Sequence, residues 1–450
     1  MARDQRLSPA DDLPPAPALT PVDPPGAPAR RAALRLLTAV LAQGKPLDGA
    51  LANAFHGVER PDDRALARSL ASGVLRWLID LDALIDSATP RPLPADARAR
   101  MALRIGLAGH LLLGTPAHAV IATTLALTEG GPRRLTHAVL SRLLREGAAL
   151  PDVPTLPEPY ASRWRATWGD AAADGAAAAL GHEPPVDLTL RDAAETAQWA
   201  DALGGVSLAP GHVRLPSLAP DDPRRRERAT IPDLPGFTEG AWWVQDLAAS
   251  LPARLLQPTR GSRVLDLCAA PGGKTLQLAA AGADVTALDS SEPRLDRLRD
   301  NLARTGLSAG IVAVDALVWA PPAAFDAVLL DAPCSASGVF RRHPDVLYLK
   351  GDRDLRPLLT VQAALIDRAV DWLRPGGRLV FSTCSLERAE GEDQMAAAFG
   401  RHPGLRLDPV TAGELPAGFN AIDGALRVLP GTLATAGGVD GFYVARLRKA

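Results

Sequence analysis

Residues 264–275, Val-Leu-Asp-Leu-Cys-Ala-Ala-Pro-Gly-Gly-Lys-Thr, restrict the fold of this chain more than any other stretch. Val264, Leu265 and Leu267 read as a short apolar strand, residues 269–273 are small enough for a tight turn, and a helical pattern resumes from Lys274 to Ala281. Gly272 and Gly273 carry no Cβ and tolerate φ > 0, so backbone N–H groups at this turn admit a ligand closely. A strand, a glycine turn and a helix N-terminus in that order hold a nucleotide-like ligand.

Two ligand classes compete for the turn. Gly273-Lys274-Thr275 imitates the end of a phosphate-binding loop, but the glycine which that motif places five positions before Gly273 is Cys268 here. A nucleoside fits better. The next predicted strand, residues 283–289, ends in Asp289 about 20 residues past the turn, where a carboxylate accepts hydrogen bonds from ribose hydroxyls.

The pattern then repeats. A helix is predicted over 293–305, with Leu295, Leu298 and Leu302 on one face, then strands over 311–315 and 325–331 that end in Asp315 and Asp331. Each aspartate alone reads as a turn or helix cap. At the carboxyl ends of successive parallel strands, the three converge on one crevice. Asp331 runs into Ala332-Pro333-Cys334-Ser335, and a fifth strand over 378–385 ends in Thr383-Cys384-Ser385. A lone cysteine usually packs as a small hydrophobe. Two at strand ends beside one ligand site point to thiolate chemistry. No histidine or further cysteine stands at ligand spacing, since His343 and His402 are isolated, so no metal is expected.

A chain of 450 residues exceeds one core and divides into two or three domains. Residues 1–27 are rich in proline and are expected to form a disordered leader. Residues 28–150 carry helical periodicity in Leu34, Leu37 and Leu41, in Leu66, Leu70 and Val74, and in Leu103, Leu107 and Leu111, for five or six helices. Residues 151–240 form a connector with a small α+β subdomain, and 241–450 alternate strand and helix. Within the connector, residues 224–228 (Arg-Arg-Arg-Glu-Arg) read either as a solvated loop or as a phosphate contact. The net charge of −2 decides nothing about nucleic acid, which needs only a basic patch. Three cysteines, Cys268, Cys334 and Cys384, do not make a disulfide framework, and no run approaches the roughly 20 apolar residues of a membrane span. A soluble, cytoplasmic protein without a membrane partner is expected.

Several motifs carry a resemblance. Residues 63–67 (Asp-Arg-Ala-Leu-Ala), 73–76 (Gly-Val-Leu-Arg), 116–119 (Pro-Ala-His-Ala) and 138–142 (Ala-Val-Leu-Ser-Arg) resemble the helical domain of the NusB family. That domain alone is open to RNA contact or to partner docking. Residues 266–275, 331–339 (Asp-Ala-Pro-Cys-Ser-Ala-Ser-Gly-Val), 341–345, 382–385 (Ser-Thr-Cys-Ser) and 440–446 together resemble the Sun/nucleolar-protein family of RNA cytosine-C5 methyltransferases, nearest the branch acting on bacterial 16S rRNA. The resemblance implies an all-α NusB-like domain followed by an α/β Rossmann-like class I methyltransferase domain, with S-adenosylmethionine as cofactor and small-subunit rRNA, unassembled or partly assembled, as partner. A monomer is expected.

The resemblance also assigns roles. Cys268, Ala269, Ala270, Pro271, Gly272, Gly273 and Lys274 would wrap the methionine part of the cofactor, Asp289 would hold the ribose, Asp315 the adenine, and Asp331 would line the site between cofactor and base. Cys384 would be the nucleophile and Cys334 would assist product release. The alternatives are tRNA or large-subunit rRNA as substrate, a phosphate-binding-loop ATPase, and a noncatalytic RNA-binding scaffold. Two departures stand out: Glu390-Gly391-Glu392 where the family commonly has Glu-Asn-Glu, and Ala336-Ser337 where Gly-Thr is usual.

Overall fold

The computed structural model describes residues 23–217, 230–349 and 352–450, so most of the expected leader and the basic run 224–228 lie outside the described residues. The N-terminal part contains seven helices: α1 (Ala27–Leu41), α2 (Leu47–Ala54), α3 (Pro61–Arg76), α4 (Leu78–Ser87), α5 (Arg98–Leu111), α6 (Ala117–Leu125) and α7 (Gly130–Arg145). The expected count of five or six was low for a local reason. Trp77 (φ −113°, ψ 21°) splits one apolar pattern into α3 and α4, and the short helices α2 and α6 each start directly after an extended proline, Pro46 and Pro116. The long helices supply the core, in which Leu36, Leu37, Leu70, Leu75, Leu103 and Leu107 are all buried. Each such leucine contributes about 1.5–3 kcal/mol over leaving it in water.

The connector folds as α8 (Tyr160–Trp168) and α9 (Asp170–Leu180), parted at Gly169 (φ 84°), followed by β1 (Asp187–Leu190), α10 (Thr196–Ala202), β2 (His212–Arg214) and β3 (Trp242–Val244). The three strands make an antiparallel sheet in the order β2-β1-β3. Buried Asp187 takes both arms of Arg214 (2.6 and 2.7 Å) and the N–H of Leu247, which starts α11 (Leu247–Leu256). Burial opposes the charge on Asp187, but Arg214 and His212 outweigh it and hold the carboxyl well below its usual range.

The C-terminal part is one nine-stranded sheet: β4 (Arg263–Leu267), β5 (Asp284–Asp289), β6 (Gly310–Ala313), β7 (Phe325–Asp331), β8 (Leu373–Thr383), β9 (Leu405–Leu407), β10 (Ala421–Ile422), β11 (Ala425–Val428) and β12 (Phe442–Lys449). Its helices are α12 (Gly273–Ala280), α13 (Glu292–Thr305), α14 (Val346–Leu349), α15 (Asp352–Trp372) and α16 (Glu392–Arg401). The strand order is β10-β11-β12-β8-β7-β4-β5-β6, with β9 on β12; β4 to β8 pair in parallel and β12 runs antiparallel to β8. From β4 the chain steps outward to β5 and β6, then returns to β7 on the other side of β4. That reversal opens a crevice at the carboxyl end of β4.

The helical part sits on the segment that follows Cys334. Asp345 accepts the N–H of Leu47 at the start of α2 (2.9 Å), Tyr348 donates to the carbonyl of Leu75 (2.9 Å), and buried Arg76 donates to the carbonyls of Leu180 and Arg341. Tyr348 and Leu349 pack against the helical core itself. No helix among the described residues is long and apolar enough to cross a membrane.

Candidate active site

The glycine turn is built by backbone constraint. β4 ends at Leu267, Cys268 turns the chain with φ 64°, and Gly272 takes φ 106° immediately before α12. A Cβ at Gly272 would stand 2.2 Å from Cδ1 of Leu298 on α13, so only glycine lets helix and turn approach this closely. Two bonds pin the turn to β5: Ala269 N–H donates to the Leu288 carbonyl (3.0 Å) and Ala270 N–H donates to the Asp289 carboxylate (3.0 Å). The other oxygen of Asp289 accepts the Ser291 N–H (2.9 Å), and Arg294 closes over the turn by donating to the Ala270 carbonyl.

Asp331, at the end of β7, meets Lys274 from α12. The ammonium lies 2.7 Å from one carboxylate oxygen, and Ser382 donates to the other at 2.9 Å. Burial works against a charge on Lys274, but Asp331 outweighs it and holds the ammonium above the ordinary lysine range. Cys334 and Cys384 follow the ends of β7 and β8, with sulfurs 3.5 Å apart. A hydrogen bond from the Cys334 S–H to its partner sulfur, together with burial, pushes the Cys334 thiol well above its ordinary value. Cys384 lies one residue beyond β8 and not on it, because the strand's pairing with β12 stops at Thr383.

Cys268 differs from the pair. Burial, and then the carboxylates of Asp289, Asp331 and Asp266, raise its thiol pKa, so it lines the crevice as a neutral thiol. Asp315 stands apart from the rest. β6 ends at Ala313, two residues earlier than predicted, because its partner β5 ends at Asp289, opposite Ala313; Asp315 then sits exposed and accepts the Leu317 N–H.

Two residues escaped the sequence reading. Asp266, central in β4, is fully buried; Thr275 donates to one oxygen and the other has no partner, and burial pushes its carboxyl up to about 7. An acid between two leucines of a buried parallel strand was the signal for it. Glu390, also fully buried, binds the serines that follow both cysteines. No periodic pattern marks it.

The crevice fits S-adenosylmethionine. A Cβ-free turn meets a strand-end aspartate suited to ribose hydroxyls, and three carboxylates, Asp266, Asp289 and Asp331, act electrostatically on the one thiol of Cys268, an environment that favours a sulfonium cation. Among the described residues, no group of three or more His, Cys, Asp or Glu is disposed to hold a metal ion. A separate cavity of about 640 Å³ opens where α3, α9 and residues 431–439 meet, and its lining includes none of the residues just described.

The 16S rRNA methyltransferase RsmB/F family matches residues 253–448, and the NusB family matches residues 27–144. The ribosomal RNA small subunit methyltransferase B of Xylella fastidiosa is 38% identical over 93% of this chain and 99% of its own length; that of Pseudomonas syringae pv. tomato is 36% identical over 93% and 96%. Among solved structures, PH0851 superposes with a TM-score of 0.71 at 22% identity, covering 94% of this chain and 99% of its own. A methyltransferase homolog protein from Pyrococcus horikoshii does so with a TM-score of 0.54 at 26% identity, covering 69% and 98%. The chain therefore belongs to the RsmB/F family of rRNA methyltransferases, with S-adenosylmethionine as methyl donor and a NusB-type helical domain ahead of the catalytic sheet.

Proposed function

We propose that this rRNA methyltransferase modifies carbon 5 of a cytosine in 16S rRNA through a covalent bond between Cys384 and the base. The observation that carries the reading is the pair of sulfurs 3.5 Å apart, beside the Lys274–Asp331 contact and at the mouth of the cofactor crevice. Carbon 5 of cytosine is a poor nucleophile, and addition of a thiolate at carbon 6 turns it into an enamine carbon.

Within the pair, Cys334 keeps its own proton and points it at the sulfur of Cys384. Cys384 gives up its thiol proton to solvent and attacks carbon 6, the carbon–sulfur bond forms, and the ring double bond's electron pair moves toward carbon 5 and nitrogen 3. Asp331 orients the ring edge by accepting from the exocyclic amine, and Lys274 offsets the added negative charge. When bound, S-adenosylmethionine supplies the electrophilic methyl that carbon 5 accepts. Carbon 5 then loses its proton to solvent, the ring double bond reforms, and the bond to Cys384 breaks. The Cys334 S–H donates to the departing sulfur and stabilises it as a thiolate.

The base must leave its stack to reach the sulfurs, which is least costly in single-stranded or looped RNA and favours unassembled small-subunit rRNA as substrate. We assign the turn from Cys268 to Lys274 to the methionine part of the cofactor, Asp289 to its ribose and Asp315 to its adenine. The protein acts as a cytoplasmic monomer in this reading.

Bisulfite sequencing of rRNA from a deletion strain should show one 16S cytosine losing its methyl mark. Cys384→Ala should lower methyl transfer by about 10³-fold or more, and retained activity would sink the nucleophile assignment. Cys334→Ala should accumulate a protein–RNA adduct, seen as a shifted band on a denaturing gel; without a band, the release role fails.

A further inference from the structure

The segment 390–392 departs from the usual Glu-Asn-Glu of the family, and the reaction above makes no use of it. Glu390 is 0% exposed, yet its carboxylate is fully engaged. One oxygen accepts the Ser335 N–H (2.8 Å) and the Gln362 amide (2.9 Å); the other accepts the hydroxyls of Ser335 and Ser385 (2.6 Å for Ser385). Ser335 follows Cys334 and Ser385 follows Cys384, so one buried carboxylate bridges the two cysteine loops.

The neighbours of Glu390 brace the same loop. Glu392 forms a two-point ion pair with Arg427 (3.0 and 2.6 Å), and Arg427 donates to the Ser385 carbonyl (2.6 Å). A Cβ at Gly391 would fall 2.4 Å from the Arg427 guanidinium and 2.8 Å from the Tyr443 ring. Arg427 and Tyr443 therefore pack against the face of Gly391 that a side chain would occupy.

We propose that Glu390 is a positioning residue: its carboxylate sets the separation of Cys334 and Cys384, and through it the partition between adduct formation and adduct release. The partition rests on the cysteine chemistry proposed above; the separation does not. A carboxylate is needed because all the groups facing it donate. A glutamine has one acceptor oxygen, so its amide NH₂ must meet either the Ser335 and Gln362 N–H groups or the two serine hydroxyls. Cys334 lies under the charge of Glu390 as well as beside Cys384, with Lys274 and Asp331 as the charged pair on the cofactor side of Cys384.

The test uses the full chain and phenylarsine oxide, which condenses with two close thiols to give a dithioarsinite and one water. Wild type should bind one equivalent through Cys334 and Cys384. Glu390→Gln should bind at least tenfold more weakly while its melting curve stays cooperative. With RNA and S-adenosylmethionine, the same variant should lose at least tenfold in kcat with the RNA KM within threefold, and should accumulate adduct although Cys334 is intact. Partial unfolding would lower methylation and adduct together.

If Glu390→Gln does not fold, Ser335→Ala and Ser385→Ala each remove one arm and should weaken arsenical binding about threefold. No arsenical binding by wild type, or undiminished binding by the variants, overturns the proposal. Weakened binding with no adduct in either Glu390→Gln or Cys334→Ala upholds the spacing role of Glu390 and overturns the release role of Cys334.

Discussion

The glycine turn and the cysteine pair are held by opposite means. In the turn, residues 268–273 are contiguous, and their geometry comes from backbone conformation and two bonds to β5. The cysteines stand 50 residues apart in the chain, and side chains from a third segment join their loops. The cofactor half of the site therefore fails by steric intrusion, and the thiol half by losing a buried charge or an acceptor. Damage to one should leave the other standing.

Gly272→Ala is the strongest way to break this separation. Its Cβ meets Leu298 at a backbone angle of φ 106°, so cofactor affinity measured by calorimetry should fall more than tenfold, and stability by about 1–3 kcal/mol. Arsenical capture by the cysteines should not change; a parallel loss would show that the two halves are one cooperative unit.

Asp266 gives an intermediate effect. Its folded pKa, about 7, lies above its ordinary 3.8, so between those values the folded chain holds more protons than the unfolded one, and stability falls as pH rises. Asp266→Asn removes that component. Between pH 4 and pH 7 wild type should lose roughly 2–4 kcal/mol more than the variant in urea unfolding. Parallel pH profiles would show that Asp266 does not titrate in this window. Since Asp440, raised to about 6 by burial, is common to both proteins, the difference isolates Asp266.

Ala336→Gly sharpens the comparison on the thiol side. Ala336 occupies φ 59°, where the family usually has glycine, so the change should stabilise by about 0.5–1 kcal/mol without moving the cysteines. Destabilisation would mean that the alanine methyl makes a contact outweighing its strain.

Much of the catalytic half was legible. β7 spans the same seven residues that the apolar run and the terminal aspartate predict, and β4, β5 and α13 lie within two residues of expectation. Their signals are local: an apolar run, a helix cap, a glycine. The helical half was legible in its long helices only, since α2 and α6 are too short to show a period. β3 was invisible because a three-residue strand made of Trp242, Trp243 and Val244 becomes a strand only by pairing with β1.

From sequence alone one could read the turn, the aspartates that end the strands, and the family, because steric limits on the backbone and the chemistry of a motif travel with consecutive residues. Sheet order, which brings β7 back beside β4, decided the rest: that Lys274 would find Asp331, that two sulfurs would lie 3.5 Å apart, and that buried Glu390 would bridge their loops through Ser335 and Ser385. Separation and desolvation depend on neighbours remote in the chain, and no single stretch of residues encodes them.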